Sequence, residues 1–223
     1  IEITIRRKIQ SILDDYASAM SMITGTTCRS SIKMFDGDLV ANDHKQGASV
    51  FTYLRDTASA KNCEDSDSTR RSARADLLED NSDFKAVYGS GGKRYYFSND
   101  LTGAYAYLNS QDPDLDRRDL RHYEKFLNIF SPQKWKLGYC SCIVFPIRQK
   151  KLPDVRGVDF SFSGFLTVDS QYRRVFNERF DVEIGALVAD LLHPVLSRLN
   201  RLSAEQDVPE ISKTEESTTE KMA

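Results

Sequence analysis

YCSCIVFPIR, Tyr139 to Arg148, and the nearby FSGFLTVDS, Phe162 to Ser170, decide how this chain folds. Both are dense in β-branched and aromatic residues, and both alternate with period two. In the first, Cys140, Cys142 and Val144 fall on one face, and Tyr139, Ser141, Ile143 and Phe145 on the other. Two strands are expected, over Tyr139 to Arg148 and Ser161 to Asp169, joined by QKKLPDVRGVD. The pair Cys140 and Cys142 raises the question of a redox or metal centre. A structural zinc needs four ligands in characteristic spacings, whereas His44, His122 and His193 are scattered. Two thiols on one extended strand do not readily bridge each other, and free Cys packs as a small hydrophobe. They are read as strand residues, with no metal site and no catalytic residue assigned.

The other half of the composition bears on partners. The chain has 223 residues, is 40% hydrophobic and 29% charged, and carries a formal net charge of -2. That is enough apolar material for one large domain and an ordinary charged surface. No global field draws it to nucleic acid, which is excluded as a partner. Four cysteines without a secretory signal imply free thiols and a cytoplasmic placement. The chain opens on Ile1, and an upstream membrane tether or further domain is part of that expectation.

Ile5, Ile9, Ile12, Leu13, Tyr16, Met20 and Ile23 recur at helical spacing, giving a signalling or packing helix over 1–24 that stops near Gly25. Cys28, Ser30, Ile32 and Met34 alternate with Arg29, Ser31, Lys33 and Phe35, and Val50, Thr52 and Leu54 repeat the pattern. Two antiparallel strands are expected there, joined by the polar loop Asp36 to Gly47. A polar stretch over 61–82 leads to a helix starting at Ser68 or Ser82, and RRSAR, Arg70 to Arg74, is offset by flanking acids. GSGGKRYYFSNDL, Gly89 to Leu101, is a glycine-rich turn into a strand, without the helix that a phosphate loop requires. Residues 102–138 form a long lid with a helix over Arg117 to Phe130. A final helix spans Asn177 to Leu202 on Phe180, Ile184, Leu187, Val188, Leu191, Leu192, Val195, Leu196 and Leu199, with Pro194 marking a kink or break. From Ser203 six acids face Lys213 and Lys221, net -4, so 203–223 is a disordered acidic tail.

CSCIVFPIR, GFLTVDS and VFNERFDVEIGALVADLL together resemble the closing motifs of the GAF domain family. In that family a strand ending small-apolar-Pro-apolar leads to a partner reading Gly-apolar-Leu-x-apolar, then a Phe and an acidic residue opening the last helix. RYYFSNDL is similar to its middle strand ending in Asp. The resemblance runs over about residues 8 to 202 and is carried mainly by the C-terminal half. It implies an α+β fold, with a central antiparallel sheet flanked by N- and C-terminal helices on one face and a lid on the other, a domain over 25–202. Gly164 would let two strands approach closely, Pro146 would sit near a strand end, and Asp169 and Ser170 would suit the turn that follows.

The same resemblance implies a regulatory sensor whose ligand differs from member to member, so the cofactor stays open. The ligand would lie between sheet and lid, against Tyr96, Ser98, Asn99, Tyr105, Tyr107, Trp135, Tyr139 and Ser141, aromatic walls with a few placed polar groups. Signal would leave through the terminal helices, which would also join two copies into a homodimer. Two alternatives accompany this reading: a ligand-free dimerisation module, and a thiol enzyme of the free methionine sulfoxide reductase type. The lid, Leu101 to Gly138, contains no cysteine. Of the cations nearby in sequence, His122 and Lys136 are the candidates for activating Cys140 or Cys142. No nucleophile elbow or paired-carboxylate motif is present, and a non-enzymatic role is expected.

Overall fold

The computed structural model describes residues 2–35, 49–62, 76–88, 93–108, 110, 137–150 and 160–206. The expected lid helix over 117–130, the loop 36–47, Trp135, Cys63 and the tail from 207 lie outside these. In chain order the elements are α1 (Glu2–Thr24), β1 (Cys28–Phe35), β2 (Ser49–Arg55), α2 (Thr57–Asn62), β3 (Asp76–Leu77), α3 (Ser82–Val87), β4 (Tyr96–Ser98), α4 (Tyr105–Leu108), β5 (Ser141–Lys150), β6 (Phe160–Ser170) and α5 (Asp181–Gln206). The α+β class is as the sequence implied. Six strands form one sheet in the order β3-β2-β1-β6-β5-β4, every pairing antiparallel. The RYYF strand, β4, therefore stands at an edge of the sheet.

One face of the sheet carries the main core. Ile9, Leu13, Tyr16 and Met20 recur every three or four residues along α1 and are buried against it. Gly25, at φ 68°, ends that helix in the left-handed conformation that a Cβ disfavours. Val182, Ala189, Leu192, Leu196 and Leu199 of α5 meet Ile32, Met34, Ile143, Phe145, Ile147, Leu166 and Val168 of the strands. Each such side chain contributes about 1.5–3 kcal/mol on burial. At Gly185 the helix comes so near the sheet that an added Cβ would lie 2.2 Å from the Phe145 ring and 2.6 Å from the Tyr16 hydroxyl.

Several sequence expectations need correction. α5 runs unbroken through Pro194, whose lost hydrogen bond faces the exposed side of the helix. Its apolar residues do not form one stripe. Phe180, Leu187 and Leu191 are 60%, 61% and 60% exposed, because the sheet covers only one side of the helix. Pro146 lies inside β5, opposite Phe165 and beyond Val144, the last β5 residue that β4 reaches. The open β4 side tolerates a residue without an N–H there. Asp169 and Ser170 are the last residues of β6, paired with Cys142 and Ser141, and the Ser170 hydroxyl accepts from the Tyr172 N–H at 3.4 Å in the turn that follows. Gly164 keeps its expected role: at φ 150° a Cβ would fall 2.2 Å from the Lys33 carbonyl oxygen across the β1–β6 pairing.

Candidate functional site

The opposite face of the sheet is built differently. Because β1 commits Cys28, Ser30, Ile32 and Met34 to the helices, period two sends Arg29, Ser31 and Lys33 the other way. Register then extends each of these across the sheet. One row reads Arg29, Asp169, Cys142, Ser98, and the next reads Ser31, Thr167, Val144, Tyr96. A third begins with Lys33 and Phe165. Phe35, Val50, Leu78, Phe84, Val87, Val144 and Phe165 form one apolar cluster, which takes in row members Val144 and Phe165. Leu101, Tyr107, Leu137 and Cys142 form another, with Tyr139 and Tyr96 packed against it.

The polar members are organised. The Arg29 guanidinium donates to Asp169 through Nε at 2.7 Å and also through Nη2, and Nη2 reaches the Gly138 carbonyl at 3.1 Å. It also lies 5.9 Å from the Tyr139 ring centroid, within cation–π range. The side chains of this ion pair are 31% and 17% exposed. The Ser31 and Thr167 hydroxyls are 2.7 Å apart, and Lys33 Nζ donates to Thr52. Asp83, from the start of α3, is buried and accepts from the Phe84 N–H at 2.8 Å. Burial pushes its carboxyl up to about 6, against the opposing pull of backbone hydrogen bonds and Lys33. Burial likewise raises Asp169 despite Arg29, and raises the Tyr96 hydroxyl, which also feels Cys142 and Asp83.

The residues expected at the site are partly brought together here. Tyr96 and Ser98 lie on the polar face. Tyr107 is fully buried and its hydroxyl is 3.1 Å from that of Tyr139. Tyr105 points to solvent, 82% exposed. Asn99 and Ser141 are occupied elsewhere. The Asn99 amide donates to the Phe176 carbonyl at 2.6 Å and accepts from the Phe176 N–H at 2.9 Å. Ser141, on the helix side of β5, is fully buried and donates to the Tyr172 carbonyl at 2.7 Å. Sequence reasoning missed Arg29, Ser31, Lys33, Asp83, Thr167 and Asp169. The available signal was that Arg29, Ser31 and Lys33 are the alternate set of a strand whose other set is apolar or small.

Burial raises the thiols of Cys28, Cys140 and Cys142, that of Cys140 against the pull of Arg173. His193 lies on the helix side, bonded to the Ser163 hydroxyl at 3.0 Å through Nδ1 and to that of Ser197 at 3.2 Å through Nε2. Among the described residues no cluster of three or more His, Cys, Asp or Glu could hold a metal ion, and no helix is long and apolar enough to cross a membrane.

No protein-family model and no curated protein matches the chain. Solved structures with a similar path include a type II free methionine-R-sulfoxide reductase from Thermoplasma acidophilum, 13% identical, TM-score 0.48, covering 87% of this chain and 96% of that one. The blue-light-absorbing form of the Thermosynechococcus elongatus PixJ GAF domain is 14% identical, TM-score 0.46, covering 91% and 93%. A GAF domain region from Geobacter sulfurreducens is 16% identical, TM-score 0.44, covering 90% and 97%. Two of these three are GAF domains by description. Likenesses of this strength assign neither activity nor ligand.

Proposed function

We propose that this chain is a GAF-like regulatory sensor that holds a small polar molecule against the rows Arg29–Asp169–Cys142–Ser98 and Ser31–Thr167–Val144–Tyr96. The observation that carries this reading is the part-buried, charge-balanced set of Arg29, Lys33, Asp83 and Asp169 on a sheet face that also carries two apolar clusters. Desolvating four charged groups costs more than well-packed apolar residues would, so their retention favours a recognition role over a packing one. Occupancy is relayed by Asn99, the residue after Ser98, which grips Phe176 in the segment that leads into α5. Bound ligand shifts the placement of α5 by favouring one arrangement of that grip. The raised thiols speak against a thiol enzyme, and free thiols fit a cytoplasmic domain.

The test is thermal unfolding with and without a small-molecule extract of cells. A ligand that binds only the folded chain raises Tm by mass action. The rise should be lost in the double variant Ser31→Val/Thr167→Val. Exchanging both hydroxyls together removes both ends of the 2.7 Å pair and gives up beside it only the long 3.4 Å contact of Thr167 with the Ser31 carbonyl, so the variant keeps its own stability close to that of the parent. A rise of equal size in parent and variant would refute the site.

A second reading has its own observation. Leu187 and Leu191 of α5, with the half-buried Ile184 and with Phe180 just before the helix, make an exposed apolar stripe at helical spacing. The occupant proposed for it is a second copy of this chain. Sedimentation equilibrium should report a dimer that Leu187→Glu converts to monomer; a parent chain that stays monomeric at all concentrations contradicts it.

A further inference from the structure

Along β6 the alternation slips once. Leu166 and Val168 face the helices and Phe165 and Thr167 the other way, so period two would send Ser163 to the polar face. Instead the register shifts between Ile147 and Arg148. Ile147 pairs with Gly164 and Arg148 with Phe162, which leaves Ser163 without an opposite residue. Such a bulge re-aims side chains. Phe162 packs on Tyr88 with ring centroids 5.1 Å apart, beside Phe165, and the Ser163 hydroxyl turns to α5. There it lies 3.0 Å from His193 Nδ1, while the Ser197 hydroxyl, one turn further on, stands 3.2 Å from Nε2 and 3.3 Å from the Ser163 hydroxyl. Ser163 and His193 are both buried.

These three groups close a ring of hydrogen bonds. In the neutral imidazole one nitrogen donates to its serine, that hydroxyl donates to the other, and the second donates back to the bare nitrogen; the circuit closes in either tautomer. Each member gives one proton and takes one, so the bonds reinforce one another. An imidazolium breaks the circuit, because both nitrogens donate, both hydroxyls accept, and one hydroxyl proton has no acceptor left in the ring. Burial also opposes the charge and lowers the proton affinity of His193, against the pull of the Ile147 carbonyl and of Asp190. Asp190 is itself exposed, and Arg148 of β5 faces it in turn. The β6 residues on this side, Ser163, Leu166 and Val168, carry no charge. Arg198 and Arg201 of α5 and Arg6, Arg7, Lys8 and Asp15 of α1 are exposed, and Asp14 is engaged by Thr57. This turn of α5 also lacks a backbone bond, since Pro194 has no N–H for the Asp190 carbonyl. We propose that Ser163, His193 and Ser197 form a proton-sensitive latch, which holds the middle of α5 on β6 while the imidazole is neutral and frees that turn when it is protonated. The latch lies on the opposite side of the sheet from the ligand rows and works with or without a ligand.

The test follows the latch through pH. The folded ring binds its proton more weakly than at the ordinary value of 6.5, so the latch is fully closed above that pH and is lost as pH falls through the lower folded value. Amide exchange in the whole chain, corrected for the intrinsic rate at each pH, should quicken at Leu196 and Leu199 relative to Leu166 as pH is lowered. The slope of one linked proton is up to about tenfold per pH unit. The midpoint should coincide with that of the His193 ring-carbon shift in NMR, and His193→Gln should abolish the dependence. Buried Asp83 acts with the opposite sign, adding stability as pH falls, and does not imitate this result. A ring that stays neutral down to about pH 4.5, a flat exchange ratio while the ring titrates, or the same quickening in His193→Gln overturns the proposal. The two midpoints of the parent decide the matter alone if His193→Gln does not fold.

Discussion

At the scale of single residues, Asp83 shows what the polar face imposes. Its carboxyl is buried at the start of α3, near Lys33, Tyr96 and Cys142, and is pushed up to about 6 from an ordinary value near 3.8. A raised carboxyl binds its proton more tightly in the folded chain than in the unfolded one. Its contribution to stability is therefore fully present below about pH 4 and is lost as pH rises through about 6. Asp83→Asn removes this dependence. The stability of the parent minus that of the variant should fall by roughly 2–3 kcal/mol between pH 4 and pH 7, measured by urea unfolding at each pH. A flat difference would mean an ordinary, solvated carboxyl. Nothing in the local sequence announced this, since NSDF reads as the opening of a helix and the burial of Asp83 depends on strands distant in the chain. Cys142 is the opposite case. Period-two alternation identified it as a strand residue, and Leu101, Tyr107 and Leu137, packed with it, account for its burial.

At the scale of elements, the segment between β6 and α5 ties the polar face to the terminal helix. Asn99 binds both the N–H and the carbonyl of Phe176, and its own carbonyl accepts from the Arg174 N–H at 2.8 Å. Arg174 takes φ 57°, a conformation rare outside glycine that this bond helps to hold. Ser141 holds the same segment through Tyr172. Asn99→Ala leaves two backbone groups of Phe176 without partners and should cost about 1–3 kcal/mol. Amide exchange at Phe176 should quicken markedly while that at Leu192, in the middle of α5, tracks only the global loss. Equal protection at Phe176 in parent and variant would show that the segment is held by other contacts. α1, β1, β2, β5, β6 and α5 were legible from periodicity, to within a few residues at each end, whereas the short α2, β3 and α4 were not. The role of Asn99 was not, because a side chain that grips backbone far along the chain leaves no periodic trace. The outer stripe of α5 misled for a related reason. Helical spacing says which residues share a face, and only the packing partner says which face is covered.

For the whole molecule, the two sides of the sheet differ in chemistry. Its helix side is mainly apolar, closed by α1 and α5, while its other side carries the charged and hydroxyl rows. The α+β architecture and the helix side could be read from the chain because burial demands apolar residues at fixed intervals. The polar side could not be read in full. Arg29 and Asp169 lie 140 positions apart, and strand register alone makes them neighbours. The central claim, that these rows hold a small polar molecule, is tested most directly by native mass spectrometry of the chain purified gently from cells, beside Ser31→Val/Thr167→Val prepared identically. The account predicts a reproducible added mass on the parent that vanishes on denaturation and is absent from the variant. The same added mass on both proteins, or on neither, would contradict it.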